Sequence, residues 1–168
     1  MESLKQAVLR IKNENNYSLA MNGVLSLIIE DKMTPIALKK YFAQQAITFD
    51  DIKKESLSLV INYARICLED DILTEEEMHN ISMLKRFLHI CEGDFYKYNY
   101  NDSVKELLSC QLHKMYKDNI IDKDEALMKT DLQQLFGLSY DEFLVIVNDV
   151  ALDALDRGAN ILDLDTFM

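Results

Sequence analysis

The sequence is poor in the residues that break up regular structure, with one proline, four glycines and no tryptophan among 168 residues. A fold of many short strands needs frequent glycine and proline turns, so this shortage argues against an all-β protein. Leucine, lysine, glutamate, alanine and methionine recur through the chain, and all five favour helix. No linker or low-complexity stretch divides the sequence. We therefore predict an all-α bundle that forms a single domain over residues 1–168.

The sequence also lacks a long apolar run, because no stretch approaches the ~20 residues that cross a bilayer. It opens on a polar amphipathic segment at Met1 rather than on a signal peptide. Cysteine is scarce and odd in number, with only Cys67, Cys91 and Cys110. These features predict a cytoplasmic protein without membrane insertion, in which the cysteines are small buried side chains rather than a disulfide framework.

Basic residues are outnumbered, with 18 Lys and Arg against 29 Asp and Glu and a formal net charge of −11. A surface this acidic repels nucleic-acid phosphates and anionic membranes, so neither is an expected partner. A basic protein or a cation remains compatible with the charge. The same charge also serves solubility without any partner.

Helical spacing of apolar residues begins at Leu4 and recurs to the final helix, which Gly158 is placed to end. These patterns predict about seven to eight helices. For the tail at residues 159–168 the sequence is compatible with two alternatives, a strap packed against the bundle and a loose end. Helix-start signals stand at Thr34 before Pro35, at Thr48, at Thr74 with Glu77, at Asp122 with Glu125, and at Ser139 with Glu142.

The sequence aligns with itself without a gap when it is shifted by 48 residues. Leu59 then falls on Leu107 and Leu84 on Leu132, whereas Ile81 falls on Lys129 and is a mismatch. The turns and helix starts match as well, and these lie outside the apolar periodicity. We predict two helical units at residues 57–98 and 105–146, with a degenerate unit at 18–56, stacked around a shared core.

Each unit contains an acidic turn that is similar to the second half of a calcium-binding loop. The metal candidates are Asp70, Asp71 and Glu77 in one unit, and Asp118, Asp122 and Glu125 in the other. Calcium needs six to eight oxygen ligands, several of them from the first and third loop positions. Those positions hold Ile66 and Leu68, and Lys114 and Tyr116. Turn formation and helix capping explain the pattern without a metal, while a looser carboxylate site stays as the alternative.

The helix, the acidic turn at residues 70–74, Glu77 and the helix with Leu84, Phe87 and Leu88 together resemble the tellurite-resistance TerB-like domains. They are also similar to the helical domain at the N-terminus of some membrane-anchored bacterial J-domain co-chaperones. Those families carry an Asp-Gly turn, where this chain has Asp70-Asp71 and Asp118-Asn119. The resemblance covers residues 57–150 and implies a bacterial, non-enzymatic interaction or stress-sensing module, in some members with metal bound by acidic residues.

The sequence contains no recognisable catalytic motif. Cys110 and His113 could supply two zinc ligands, but no second pair stands at comparable spacing and a structural zinc takes four. His79 and His89 lie ten residues apart on one helix and therefore project in different directions. The alternating tyrosines at 96, 98 and 100 are typical of a packed connector, with a partner-binding patch as the alternative.

These observations predict a non-enzymatic acidic helical module for protein–protein interaction or stress sensing, with no cofactor. One alternative is a divalent-cation sensor that uses the turn carboxylates. Another is an acidic inhibitor or immunity protein that binds a basic partner.

Overall fold

The computed structural model describes residues 2–70, 72–118 and 123–160, and it leaves the side chains of residues 70, 118 and 123–126 undescribed. All regular structure in these ranges is helical, as the sequence predicts, and none of the described helices is long and apolar enough to cross a bilayer. The nine α-helices within them are α1 (Leu4–Glu14), α2 (Leu19–Ile29), α3 (Pro35–Gln45), α4 (Lys53–Asp70), α5 (Glu75–Phe87), α6 (Asp94–Lys97), α7 (Asn101–Met115), α8 (Lys123–Phe136) and α9 (Tyr140–Asp156). Two short 3₁₀ helices, Asp50–Ile52 and Tyr116–Asp118, precede α4 and follow α7.

Local capping chemistry sets where most of these helices begin. Thr34 caps α3 with Pro35 in the first turn, as predicted, and Ser18 caps α2. Thr74 and Glu77 form the predicted capping box of α5, in which the Glu77 carboxylate accepts hydrogen bonds from the Thr74 backbone N–H and hydroxyl, both at 2.9 Å. The N-terminal N–H groups of a helix have no partner within it, so each cap removes an otherwise unsatisfied donor. Further capping boxes stand at Ser3 with Gln6 and at Ser139 with Glu142.

Replacing Thr74 with alanine is expected to lower the free energy of unfolding by about 1 kcal/mol, because the Glu77 N–H and carboxylate both lose the hydroxyl. Thr74→Ser keeps the hydroxyl and is the matched control, for which we expect almost no change. Urea denaturation of the three proteins measures the difference. Equal midpoints for all three would show that the capping bond contributes nothing to stability.

Helix α4 lies at the centre of the bundle. It packs against α1 on one side and against α5 and α7 on others. Helix α2 packs against both α1 and α3, and α7 packs against both α4 and α9. Most of its apolar residues are almost fully buried, including Leu57, Val60, Ile61 and Ala64, which recur at helical spacing. Burial of these side chains is the dominant stabilising contribution.

The contact between α2 and α3 depends on Gly23. The Tyr41 hydroxyl donates a hydrogen bond to the Ala20 carbonyl at 3.0 Å and thereby lays its ring over α2. A Cβ atom at position 23 would lie 2.0 Å from that hydroxyl oxygen, so any larger residue would displace Tyr41. Glycine is used here for close approach and not for an unusual backbone angle.

Three lysines, which we call the lysine bridges, each donate a hydrogen bond to a backbone carbonyl of another element near a helix end. The last carbonyls of a helix have no partner within it, and a positive charge there also favours the helix dipole. The bridges therefore satisfy groups that would otherwise need water. They are Lys53 to the His89 carbonyl, Lys85 to the Leu135 carbonyl and Lys114 to the Leu68 carbonyl.

The starts of two helix pairs recur at the spacing of the sequence repeat. Helix α4 begins at Lys53 and α7 at Asn101, and α5 begins at Glu75 and α8 at Lys123, so both pairs are 48 residues apart. Superposition of the two units stays a prediction. Positions that the shift pairs are buried in both units, among them Leu59 and Leu107, Ala64 and Leu112, Leu84 and Leu132, and Phe95 and Phe143.

The mismatched pair of the repeat places a lysine in the core. Lys129 is only 1% exposed, like Ile81 at 0%. Its ammonium donates a hydrogen bond to the Tyr116 hydroxyl at 3.4 Å and lies 5.6 Å from the centre of the Tyr116 ring. A buried ammonium needs such partners, because its desolvation is costly.

Two local details differ from the sequence predictions. The connector after α5 contains an additional one-turn helix, α6, whose Phe95 is buried. Thr48 does not cap α4: its N–H and hydroxyl both donate to the Asp51 carboxylate at 2.7 Å, and the 3₁₀ turn intervenes before α4 begins at Lys53. The Thr48 hydroxyl hydrogen bond also holds the pKa of Asp51 below its ordinary value.

The prediction that all three cysteines are buried was wrong for two of them. Cys67 is buried, whereas Cys91 and Cys110 are exposed. Cys91 lies in the turn after α5. Cys110 falls between the buried positions Leu108 and Leu112 of α7 and points away from their face because successive helical residues are rotated by about 100°.

Candidate functional site

A groove with a volume of about 1010 Å³ opens between α1, α3 and α5. Its walls are the start of α1, the start of α3 with the turn before it, and one face of α5. The volume lies at the upper end of the range for sites that bind small ligands, and concave apolar surfaces of this kind are the usual locations of binding sites. We refer to this feature as the α5 groove.

Most of the accessible surface in the α5 groove is apolar. Ile28, Leu38 and Phe87 are buried beneath it, and Phe49 is half-buried at its edge. Met83 projects into it and is 37% exposed. Methionine is flexible and polarisable, so it adapts to the shape of a bound surface.

The wall from α5 runs along nearly the whole helix. Glu76, Asn80, Met83 and Arg86 all line the groove, and their spacing of three or four residues keeps them on one face. Ten residues of helix rise about 15 Å, which gives the length of this wall. Helix α5 packs against α4 and α8 on its other sides. The groove face of α5 is therefore a helix surface that looks across open space toward α1 and α3.

Several charged groups around the α5 groove are already satisfied within the protein. Lys5 is paired with Asp31 at 2.9 Å, and the Glu77 carboxylate is held by the α5 cap. Lys39 and Arg86 are exposed, and neither has an ion-pair partner among the described residues. Along α5, an acidic residue at position 76 and a basic residue at position 86 thus mark opposite ends of the wall.

One end of the α5 groove is held in an unusual backbone conformation. His89 has a φ of 52°, in the left-handed region that glycine normally occupies after a helix. A non-glycine residue pays roughly 1–2 kcal/mol there. The imidazole stacks on the Phe49 ring, with centroids 4.0 Å apart and planes inclined by 22°. Asp31, Ala46 and Asn99 adopt the same conformation after other helices, so it marks the end of α5 rather than the groove.

A buried ion pair fixes the backbone of this strained residue. The Lys53 ammonium donates to the His89 carbonyl and to the Asp94 carboxylate, the latter at 3.0 Å. The side chains of Lys53 and Asp94 are only 7% and 13% exposed. Burial raises the pKa of Asp94, but the Cys91 N–H and the Lys53 ammonium outweigh it, so the pKa lies below its ordinary value of 3.8. The carboxylate is therefore ionised at neutral pH.

Comparison with known protein families, with curated proteins and with solved structures finds no match. The resemblance to TerB-like domains stays a prediction. What the chain binds has to be argued from its own surface.

The six carboxylates of the metal hypothesis are only partly within the described structure. Asp71 and Asp122 lie outside the described residues, as do the side chains of Asp70, Asp118 and Glu125. Glu77 is described, buried and engaged in the α5 cap. No group of three or more histidine, cysteine, aspartate and glutamate side chains converges within the described ranges. The cation-sensor hypothesis stays a prediction.

The remaining candidates from the sequence fall at separate places. His79 lines a smaller cavity of about 440 Å³ between α5 and α8. Contrary to the sequence prediction, His89 does not share that helix but follows the end of α5 and lines the α5 groove, so the two histidines point apart. His113 bonds to the Asp153 carboxylate and to the Ser109 carbonyl. Tyr96 is 71% exposed, in contrast to its half-buried neighbours Tyr98 and Tyr100.

The Cys67 thiol is unreactive at neutral pH. It is buried, and burial together with the nearby Glu77 charge raises its pKa to about 12. A thiol with this pKa stays protonated at neutral pH and is not a nucleophile.

The sequence did not predict the α5 groove. Its residues come from four helices and the segments beside them, and no local pattern links them. The one signal in the sequence was a second apolar pair on α5, Met83 and Phe87, beside the core face of Met78, Ile81 and Leu84. A helix that is apolar on more than one face has more surface to cover than a single neighbour provides.

Proposed function

We propose that this protein is a non-enzymatic interaction module that binds a protein partner in the α5 groove. The observation that carries the proposal is the groove itself, a largely apolar concave surface with a volume of about 1010 Å³ on a strongly acidic chain. Apolar surface left open to water is costly, and rimmed apolar patches are typical of interaction sites. The net charge of −11 adds long-range attraction for a partner with basic regions.

The exposed Met83 makes the proposal testable in cells that naturally produce the protein. A photoreactive amino acid replaces Met83 in one variant and Leu152 in another. Leu152 is 60% exposed on α9 and does not line the groove, so it is the matched control. We expect a covalent adduct with one partner protein from position 83 that is missing from position 152.

The identified partner is then purified and its affinity measured for Met83→Glu and Leu152→Glu. A carboxylate in the apolar groove should weaken binding at least about tenfold, which corresponds to ~1.4 kcal/mol, whereas the control should bind like the wild type. Adducts that do not depend on position, or equal affinities for the two variants, would refute the proposal.

A further inference from the structure

We infer that the occupant of the α5 groove is a single amphipathic α-helix of the partner, lying antiparallel to α5. This inference rests on the proposed function and adds the shape, the polarity and the direction of the bound segment. It follows from the length of the groove wall and from the placement of charges along it.

The length of the groove suits a short helix. The wall formed by α5 spans about 15 Å, which is close to three helical turns. Helices α1 and α3 face it across the groove, so an inserted helix would contact three neighbours. Amphipathic helices bind such grooves through apolar residues at positions i, i+3 or i+4, and i+7. Met83 on α5 and, across the groove, Met33 and Pro35 provide accessible apolar surface for those residues.

The charges along α5 give the bound helix a direction. Glu76 stands at the end of the wall nearest the start of α5, and Arg86 stands near its last turn. Helices generally carry acidic residues in the first turn and basic residues in the last, because these charges favour the helix dipole. An antiparallel occupant places its acidic first turn beside Arg86 and its basic last turn beside Glu76. A parallel occupant would place like charges together at both ends.

Most other charged groups of the groove are engaged within the protein, whereas Lys39 on α3 is exposed and has no ion-pair partner among the described residues. Lys5 and Asp31 neutralise each other, and the Glu77 carboxylate is buried in the cap. Glu2 lies 3.8 Å from Arg10. Glu76 and Arg86 therefore remain the groups on α5 that a bound helix can pair with.

Two designed peptides test the inference against the full chain. Both are helices of about 14 residues, so that their terminal charges are spaced like Glu76 and Arg86. They have the same composition and the same leucine stripe, and they are crosslinked between side chains so that they are equally helical by circular dichroism. One carries glutamates in its first turn and lysines in its last, and the other carries the reverse. Fluorescence anisotropy at low salt measures both dissociation constants, since salt screens exposed charges.

We expect the peptide with the acidic first turn to bind about five- to tenfold more tightly, the effect of two exposed charge pairs changing from repulsive to attractive. The double variant Glu76→Lys with Arg86→Glu should reverse the preference. Exchanging an exposed pair outside the groove, Arg65→Glu with Glu106→Arg, should leave it unchanged.

Equal binding of the two peptides, binding of neither, or a preference that survives the Glu76 and Arg86 exchange would overturn the inference. None of these results decides the outcome of the crosslinking experiment at Met83. A partner captured there would then occupy the groove with a segment that is not an antiparallel helix.

Discussion

Lys53→Met is expected to lower the free energy of unfolding by about 3–5 kcal/mol, because it leaves the Asp94 carboxylate buried without its counter-charge. The same substitution removes a donor from the His89 carbonyl. Urea denaturation measures the loss. The side chains are 7% and 13% exposed, so solvent screening of this pair is small compared with that of the surface pairs.

The matched control is the double variant Lys53→Met with Asp94→Asn. Asparagine keeps an acceptor for the Cys91 N–H, which donates to Asp94 at 2.8 Å, and carries no charge that needs a partner. We expect the double variant to recover at least about 1 kcal/mol relative to Lys53→Met alone, as coupled charges do. Additive losses would mean that the two groups do not interact.

The same ion pair predicts a pH dependence. The pKa of Asp94 in the folded state lies below the ordinary 3.8, so ionisation stabilises the folded state above that pH. The contribution falls as pH decreases through 3.8 toward the lower folded value. Subtracting the stability curve of Asp94→Asn from that of the wild type isolates this group from the other carboxylates. A difference that stays constant from neutral pH to about 3 would contradict the prediction.

Ile81→Lys is expected to destabilise the protein by at least about 4 kcal/mol, from lost apolar burial and an unpaired charge in the core. Ile81 is 0% exposed, and the 48-residue shift places Leu68 where the Lys129 site has Tyr116. A lysine at position 81 would therefore lack the phenol that Lys129 uses.

The conservative control is Ile81→Met, which preserves volume and polarity and should cost less than about 1.5 kcal/mol. Thermal melts of both variants and the wild type give the comparison. If Ile81→Lys and Ile81→Met had the same melting temperature, the lysine side chain would have to reach water. The core position assigned to residue 81 would then be wrong.

Local chemistry made most of the fold predictable. Thr74 and Glu77 are three residues apart and satisfy each other, so their cap could be read directly from the sequence. The burial of α4 followed from its periodicity. Lys53 could not be predicted as a core residue, because its partners His89 and Asp94 lie 36 and 41 residues further along the chain.

The candidate site was hidden for a different reason. Periodicity shows which face of a helix is apolar, but it does not show whether another helix packs against that face. Met83, Leu38 and Lys5 belong to α5, α3 and α1, and the groove exists because these three helices do not close on one another. Sequence patterns identify the apolar face that each helix has to bury, whereas the groove results from the distance between helices.

The lysine bridges bear on how the bundle opens. A helix end usually frays by itself, because only its own terminal hydrogen bonds break. Here the end of α4 is held from α7, the segment after α5 from α4, and the end of α8 from α5. Lys53 is buried and the other two lysines are half-buried, so releasing a bridge leaves an ammonium group partly withdrawn from water, and partial melting of a single terminus is disfavoured. The region from α4 to α8 should consequently behave as one cooperative unit, whose helix ends are as long-lived as its core.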